Sequence, residues 1–370
     1  MRGPRVRPIV IAAGGTGGHF FPAEALAAAL MQRGERVVLM TDARSGGLTS
    51  AVFAGAERHV LSGAGLSGRG PKRALQGVAA LAKGVAQART LLRDLQPAAI
   101  VAFGGYPAVP PVLAARLLPA RPPILLHEQN AVLGRANRFL ARLADQLVLS
   151  FANTTKIPGG VQTALLGNPV RPPIAALVGE SYSPPEQKIE ILVIGGSLGA
   201  KVFSTLIPAA IALLPDTLRE RLAVTQQCRA DDLEGARAIF AEAGIEAELS
   251  PFFTDVAARI AKAHLVIARA GASPVAELAV AGRPAIFIPL PGAIDDHQRS
   301  NADSLAQAGG GWRLDQAGLT PQTLANKIET LLTHPDTLKA AARAAAAQGR
   351  ADAVQKLADL VQQTSVKVQP

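Results

Sequence analysis

The sequence predicts an α/β protein of two doubly wound, parallel-sheet domains separated by a cleft, and three observations carry that expectation. Short apolar runs alternate with longer helical stretches along most of the chain, the pattern of repeated β–α units. The runs are continuous rather than alternating, which means burial on both faces and hence parallel strands covered by helices. The chain also restarts halfway. "IEILVIGGSLGAKVF" repeats the opening "PIVIAAGGTGGHFF", so that Gly14, Gly15, Thr16 and Gly18 return as Gly195, Gly196, Ser197 and Gly199, each 181 residues later. A length of 370 residues with 49% hydrophobic content suits two ordinary domains and argues against disorder.

In chain order, the first domain offers strands at "PIVIAA", "RVVLMT", "AAIVAF", "PILLHE" and "DQLVLS". The start, "MRGPRVRPIVIAAGG", places basic residues before an apolar stretch. That stretch, Ile9 to Ala13, is too short for a signal-peptide core and runs into a glycine loop, so it reads as the first strand. A helix over "PAEALAAALMQRG" closes at Gly34, and a long helix covers residues 72–93. Residues 95–115 are uncharged for long enough to span a bilayer, but Pro97, Pro107, Pro110, Pro111 and the pair Gly104-Gly105 would break a spanning helix. A strand, a tight loop and a helix fit there, and a soluble protein is expected. Prolines in "GNPVRPP" interrupt both periodicities and mark a hinge. The expected domains are residues 1–172 and 173–349, with a helix over 350–370 packing back on the first. "SYSPPEQ" reads as a surface loop, "LVIAR" and "PAIFIP" as further strands, and residues 337–366 as two helices. Two such domains facing each other leave a cleft, the usual place for a ligand.

Charge is unevenly placed. Residues 1–173 hold 20 Lys and Arg against 7 Asp and Glu, whereas the remainder holds 18 against 21. Between Glu57 and Asp94 stand seven basic residues (Arg58, Arg69, Lys72, Arg73, Lys83, Arg89 and Arg93) and no acid. The asymmetry points to an anionic partner for the first half, or to a plain solvated basic face. The helix from Lys72 sets Leu75, Val78, Leu81 and Val85 among its cations, either as a membrane-interface face or as a core-facing stripe. The single cysteine, Cys228, excludes an internal disulfide and fits a reducing compartment.

Glycines between a strand and a helix let backbone N–H groups approach an anion, and the helix dipole favours negative charge there. Both glycine loops are therefore phosphate-site candidates. The dinucleotide fingerprint G-x-G-x-x-G is missed by both, since Phe20 takes the third glycine position in the first. Asp42, ending the second strand, keeps an NAD(P) oxidoreductase as a rival, and a non-enzymatic module using only the basic stretch is another. The six histidines form no ligand-spaced pair and no D-x-D occurs, so no catalytic metal and no cofactor are expected. Three loops, "GGTGGH", "FGGYPAVP" and "HEQNAVLG", follow strands and should converge on one rim of a parallel sheet, bringing His19, Tyr106, His127, Glu128 and Asn130 together. In "RAGASPVAE", Gly271 makes a turn, Pro274 suits the first helical position, and Glu277 follows as either a first-turn acid or a ribose clamp.

Together these loops resemble the MurG family of UDP-N-acetylglucosamine transferases. Its motifs appear in order as "GGTGGH", "GGY", "HEQN" followed by G-x-x-N, "GNPVR", "GGSLGA", "GAS-x-x-AE" and "DDHQ-x-x-NA", between residues 14 and 302. The resemblance implies a GT-B fold and a metal-independent, inverting transfer of N-acetylglucosamine from UDP to the C4 hydroxyl of muramoyl-pentapeptide on undecaprenyl diphosphate (lipid I). Another UDP-sugar-dependent transferase of the same fold is the nearest alternative.

Carried over by motif, Thr16, Gly17 and Gly18 lie near the donor sugar and diphosphate, Asn130 and Gln298 reach the sugar, and Arg171 and Ser197 hold the nucleotide phosphates. Ala272, Ser273, Pro274, Val275, Ala276 and Glu277 line the nucleotide site, with Glu277 on ribose. Phe253 stands where the family often has isoleucine beside the uracil, and Pro274 replaces a common threonine. Gly14, Gly15, His19, Gly104, Gly105 and Tyr106 form the acceptor side, and His19 and Glu128 are the candidate bases. Arg69, Lys72, Arg73, Leu75, Val78, Leu81, Lys83 and Val85 are expected on an anionic membrane surface. The implied setting is peripheral, on the cytoplasmic face of the inner membrane, with a cell-wall synthesis complex as partner and no nucleic acid.

Overall fold

In the computed structural model the described residues are 7–14, 17–43, 50–62, 71–196 and 199–366, the side chains of 71–74 excepted. The first apolar runs become strands of one sheet: β1 (Ile9–Ala12), β2 (Val37–Asp42), β3 (Glu57–Leu61), β4 (Ala99–Ala102), β5 (Ile124–Glu128), β6 (Gln146–Leu149) and β7 (Thr163–Leu165). They lie in the order β3-β2-β1-β4-β5-β6-β7, and every pairing is parallel. The second sheet holds β8 (Ile189–Ile194), β9 (Leu222–Gln227), β10 (Glu246–Ser250), β11 (Leu265–Ala268), β12 (Ala285–Phe287) and β13 (Gly311–Arg313). Its order is β10-β9-β8-β11-β12-β13, again all parallel. The chain divides into two units, Met1–Arg171 with Asp352–Pro370, and Pro172–Ala351.

Continuous apolar runs follow from two-sided burial. In β1, Val10 and Ala12 join a core with Ala88 and Leu92 of the helix Pro71–Leu95 and Val112 of the helix Val109–Arg116. Ile9 and Ile11 point the other way, onto Phe20, Leu26 and Leu30 of the helix Gly17–Gln32 and onto Leu357 and Val361 of the helix Ala353–Val366. That last helix is also tied by Arg33 to Asp359 at 2.7 Å and by Gln362 to Glu35 at 2.7 Å. Gly34 ends the helix Gly17–Gln32 with φ of 81°. The Gly34 N–H donates to Met31 O and the Glu35 N–H to Leu30 O, the left-handed C-terminal cap that glycine favours.

Five strands, β3, β7, β9, β10 and β13, carried no apolar-run signal. Four of them are short or at or near a sheet edge, where one-sided burial suffices; β3 is largely exposed. The fifth, β9, is internal, but its run ends in Gln226 and Gln227, whose side-chain NH₂ groups donate to Phe203 O at a helix start and to Gly196 O and Pro251 O in loops. Among the described residues no helix is long and apolar enough to cross a membrane.

Candidate active site

Strand order reverses between β1 and β4 and again between β8 and β11, and ligands of open α/β sheets bind at such switch points, beyond the carboxyl ends of the strands. Each reversal is joined the same way: the Phe103 N–H donates to Ala12 O at 2.9 Å, and the Arg269 N–H to Ile194 O at 3.2 Å. In the first unit this brings together Gly14 after β1, Gly17, Gly18 and His19 at the start of their helix, Gly104, Gly105 and Tyr106 after β4, and Glu128 and Asn130 at the end of β5. Gly104 and Gly105 have φ of 81° and 67°, and a Cβ on Gly105 would stand 3.4 Å from His19 Cδ2. Glycine there lets the backbone turn tightly against the imidazole.

His19 Nδ1 lies 2.8 Å from Gln129 Oε1. Gln129 Nε2 lies 3.0 Å from His127 Nδ1 and 3.2 Å from His127 O, and His127 Nε2 lies 3.1 Å from Gly167 O. Burial pushes the His127 imidazole down to about 4, against the opposing pull of the Gly167 carbonyl. Glu128, 1% exposed, spends its carboxylate on its own loop. Oε1 accepts from the backbone N and Nδ2 of Asn130, and Oε2 from the Gly134 N–H and Asn137 Nδ2, all within 2.8–3.1 Å. Asn137 also donates to His127 O at 3.1 Å. Gln129 and Asn137 are the residues that sequence reasoning passed over. Both stand inside the quoted motifs, but only the folded loop shows that their amides organise its neighbours.

In the second unit the β8 loop is bracketed by Gln227, which accepts from the Gly195 N–H at 3.2 Å and donates to Gly196 O at 3.0 Å. A Cβ on Gly195 would sit 2.5 Å from Ala200 N, so glycine is needed for the close approach. The helix after this loop begins only at Phe203, later than the match to the first loop predicts. After β11, the helix Ala272–Val280 has Gly271 as its N-cap. Pro274 is therefore its third residue, not its first, and Glu277 lies in the second turn. Proline is tolerated there because the first four N–H groups of a helix have no intrahelical acceptor. Ser273 Oγ is buried without a partner, Val275 and Glu277 are buried, and Ala276 is half-buried.

Gln298, on the helix His297–Ala306, accepts from the Leu290 N–H at 2.9 Å, so its amide NH₂ is the end not used in that bond. Phe253 is buried, with the Arg259 guanidinium 4.1 Å from its ring centroid. Arg269, unflagged by the sequence, is buried and donates to Ile288 O, Pro289 O and Gln316. From its place after β11 it ties together the segments after β12 and β13. Arg171 closes the first unit. Gly15, Thr16, Arg69 and Ser197 lie outside the described residues, as do the side chains of Lys72 and Arg73.

The expected membrane stripe divides. Leu75 and Val78 are 72% and 57% exposed, and Lys83 is exposed. Leu81 and Val85 are instead half-buried against the core, because they flank the inward stripe Gly84, Ala88 and Leu92. A Cβ on Gly84 would fall 2.2 Å from Ser62 O, which fixes that face inward. Exposed Leu117 ends the helix Val109–Arg116, which packs on the long helix, and exposed Phe139 stands between Arg138 and Arg142 in sequence.

Residues 9–149 match the glycosyltransferase family 28 N-terminal domain and residues 190–357 its C-terminal domain. A relative from Granulibacter bethesdensis is 64% identical over 92% of this chain and 89% of its own length. One from Acidiphilium cryptum is 59% identical over 94% of each. Both are named UDP-N-acetylglucosamine–N-acetylmuramyl-(pentapeptide) pyrophosphoryl-undecaprenol N-acetylglucosamine transferase. The crystal structure of Acinetobacter baumannii MurG superposes with a TM-score of 0.78 at 31% identity, over 96% of this chain and 99% of that one. The calicheamicin glycosyltransferase CalG4, 17% identical with a TM-score of 0.67 over 99% of this chain and 100% of that one, shares the fold.

Proposed function

The chain belongs to the MurG family within glycosyltransferase family 28, and from that premise we propose how its own residues divide the work. It is a two-domain GT-B enzyme that moves N-acetylglucosamine from UDP-N-acetylglucosamine to lipid I, giving lipid II for peptidoglycan. The rival NAD(P) reading is not favoured by these relatives, and its acid, Asp42, is only 3% exposed.

In the transfer, the acceptor's C4 oxygen bonds to C1 of the donor sugar, and the bond from C1 to the β-phosphate oxygen breaks. That electron pair leaves with UDP, and the hydroxyl proton passes to a base. Attack opposite the leaving UDP inverts C1. His19 is the base, and the observation that carries this is its anchorage: Nδ1 is held by Gln129 at 2.8 Å while the ring edge faces Gly105. Glu128 has each carboxylate oxygen already accepting two N–H groups, so its part is to hold the loop.

Gly14, Gly15, Gly104, Gly105 and Tyr106 flank the acceptor, whose diphosphate suits the N–H groups and positive dipole end of the helix Gly17–Gln32. Thr16, Gly17, Gly18 and Asn130 attend the donor sugar. In the second unit, the start of the helix Ala272–Val280 and the unpartnered Ser273 hydroxyl suit the nucleotide. Glu277 takes the ribose, Ser197 and Arg171 the phosphates, Gln298 the sugar, and the backbone at Phe253 the uracil. The basic first unit, exposing Leu75, Val78, Leu117 and Phe139, docks on anionic lipid at the cytoplasmic face of the inner membrane, as part of a cell-wall synthesis complex.

The test is His19→Ala. Loss of a general base typically costs about 10²–10⁴-fold in rate, so kcat should fall by that factor with the KM for UDP-N-acetylglucosamine nearly unchanged. A wild-type-like kcat would reduce the histidine to a packing residue.

A further inference from the structure

The chain of contacts from His19 ends on the Gly167 carbonyl, which can only accept, and this determines where the protons between them sit. Gly167 O is a carbonyl, so His127 Nε2, 3.1 Å away, carries the proton of that contact. The ring is fully buried, and burial holds it neutral, with its value near 4. A neutral imidazole carries one N–H, so His127 Nδ1 is bare and accepts.

Gln129 Nε2 meets that bare nitrogen at 3.0 Å and the carbonyl oxygen of His127 at 3.2 Å. Two acceptors on one side fix the amide with its NH₂ there, and flipping it would set oxygen against both. Its Oε1 is then the atom 2.8 Å from His19 Nδ1. A carbonyl oxygen has no proton to give, so Nδ1 of His19 carries it, and a singly protonated His19 ring has Nε2 bare. Gln129 is 1% exposed, so water does not compete for these bonds, and each polarises the next. The Nε2 edge lies toward Gly105, where an added Cβ would be 3.6 Å from Nε2.

We propose that Gln129 is a positioning residue for the transfer. Relaying from the Gly167 carbonyl through His127, it holds His19 in the Nδ1–H tautomer and leaves Nε2 as the atom that takes the acceptor's proton. The inference rests on His19 being the base. It adds which nitrogen acts, and why an amide stands beside it. The amide oxygen accepts from Nδ1–H both before and after Nε2 is protonated, so proton uptake requires no rearrangement of the chain. A carboxylate at the same place would have no N–H for His127 Nδ1 and would set negative oxygens against the His127 carbonyl.

The experiment is ¹⁵N-histidine labelling of the whole enzyme at a pH where both rings are neutral, with His19 and His127 assigned through His19→Ala and His127→Gln. Two-bond ¹⁵N–¹H spectra distinguish the protonated from the bare ring nitrogen. The expected pattern is opposite tautomers, Nδ1–H for His19 and Nε2–H for His127. In Gln129→Leu the His19 pattern should shift toward Nε2–H, and kcat should fall roughly 10- to 10²-fold, short of the full general-base loss, with the KM for UDP-N-acetylglucosamine within a factor of two. An Nε2–H signal for His19 in the wild type overturns the relay, whether or not the variant folds. So does an unchanged His19 tautomer in a folded Gln129→Leu. A wild-type-like kcat in His19→Ala instead overturns the base reading beneath it, and the spectra tell the two failures apart.

Discussion

At the scale of single residues, the buried polar groups around β5 are largely paired with one another. His127 shows the cost. Its ring titrates near 6.5 in the unfolded chain and near 4 in the fold, chiefly because burial disfavours the charged form. Below pH 6.5 the unfolded chain therefore binds a proton that the native protein does not, and stability falls as pH drops toward 4, by up to about 1.4 kcal/mol per pH unit. His264, half-buried and lowered for the same first reason, adds in the same direction. Denaturant titrations at pH 7, 6 and 5 should show this decline, and His127→Gln should start lower but decline less steeply. An equal slope in the variant would mean that His127 is not the group taking up the proton. The sequence placed His127 and Glu128 on the correct rim, yet it offered no sign that one is neutral and the other saturated by four donors.

At the scale of elements, the long helix Pro71–Leu95 carries two stripes that composition alone does not separate. Gly84, Ala88 and Leu92 face the core with Leu81 and Val85 beside them, whereas Leu75 and Val78 look outward. Burying an exposed Val or Leu side chain in lipid is worth about 1.5–3 kcal/mol. Leu75→Ser with Val78→Ser should therefore weaken binding to vesicles containing anionic lipid at least about tenfold and leave Tm unchanged. Leu81→Ser should do the reverse, lowering Tm by exposing a polar group to the core while the outward face stays intact. If Leu81→Ser weakens vesicle binding at unchanged Tm, the assignment of the two stripes is wrong.

At the scale of the whole molecule, the second unit is inserted between the first unit and its returning C-terminal helix, so both chain ends belong to one unit. Charge follows this division, with 20 of the 38 basic residues and only 7 of the 28 acidic ones before residue 174. If the nucleotide binds the second unit as proposed, it should raise the stability of the folded chain. UDP at a hundred times its dissociation constant should add about 2.7 kcal/mol, and NAD at the same concentration should add nothing. Glu277→Ala removes a charged acceptor for the ribose hydroxyls, worth about 1.5–3 kcal/mol, so at that UDP concentration most of the thermal shift should vanish. Stabilisation by NAD, or a full UDP shift in Glu277→Ala, would refute the assignment of that helix.

The sequence by itself determined the architecture. Parallel sheets covered on both faces need continuous apolar strands, and "PIVIAA" or "IEILVI" declare that need residue by residue. It also marked the turns after β1, β4 and β8, because a backbone that turns tightly against its neighbours demands glycine there. What it did not determine were the polar strands, the inward and outward stripes of one helix, and the state of each titratable group. β9 ends in two glutamines whose NH₂ groups find carbonyls elsewhere in the chain, at Phe203, Gly196 and Pro251. Glu128 is spent on Asn130, Gly134 and Asn137, and the direction of the Gln129 amide depends on carbonyls at His127 and Gly167. Burial and hydrogen-bond direction depend on groups nine residues off, as Asn137 is from Glu128, or forty, as Gly167 is from His127. Only the tertiary structure brings them within three ångströms or so of one another.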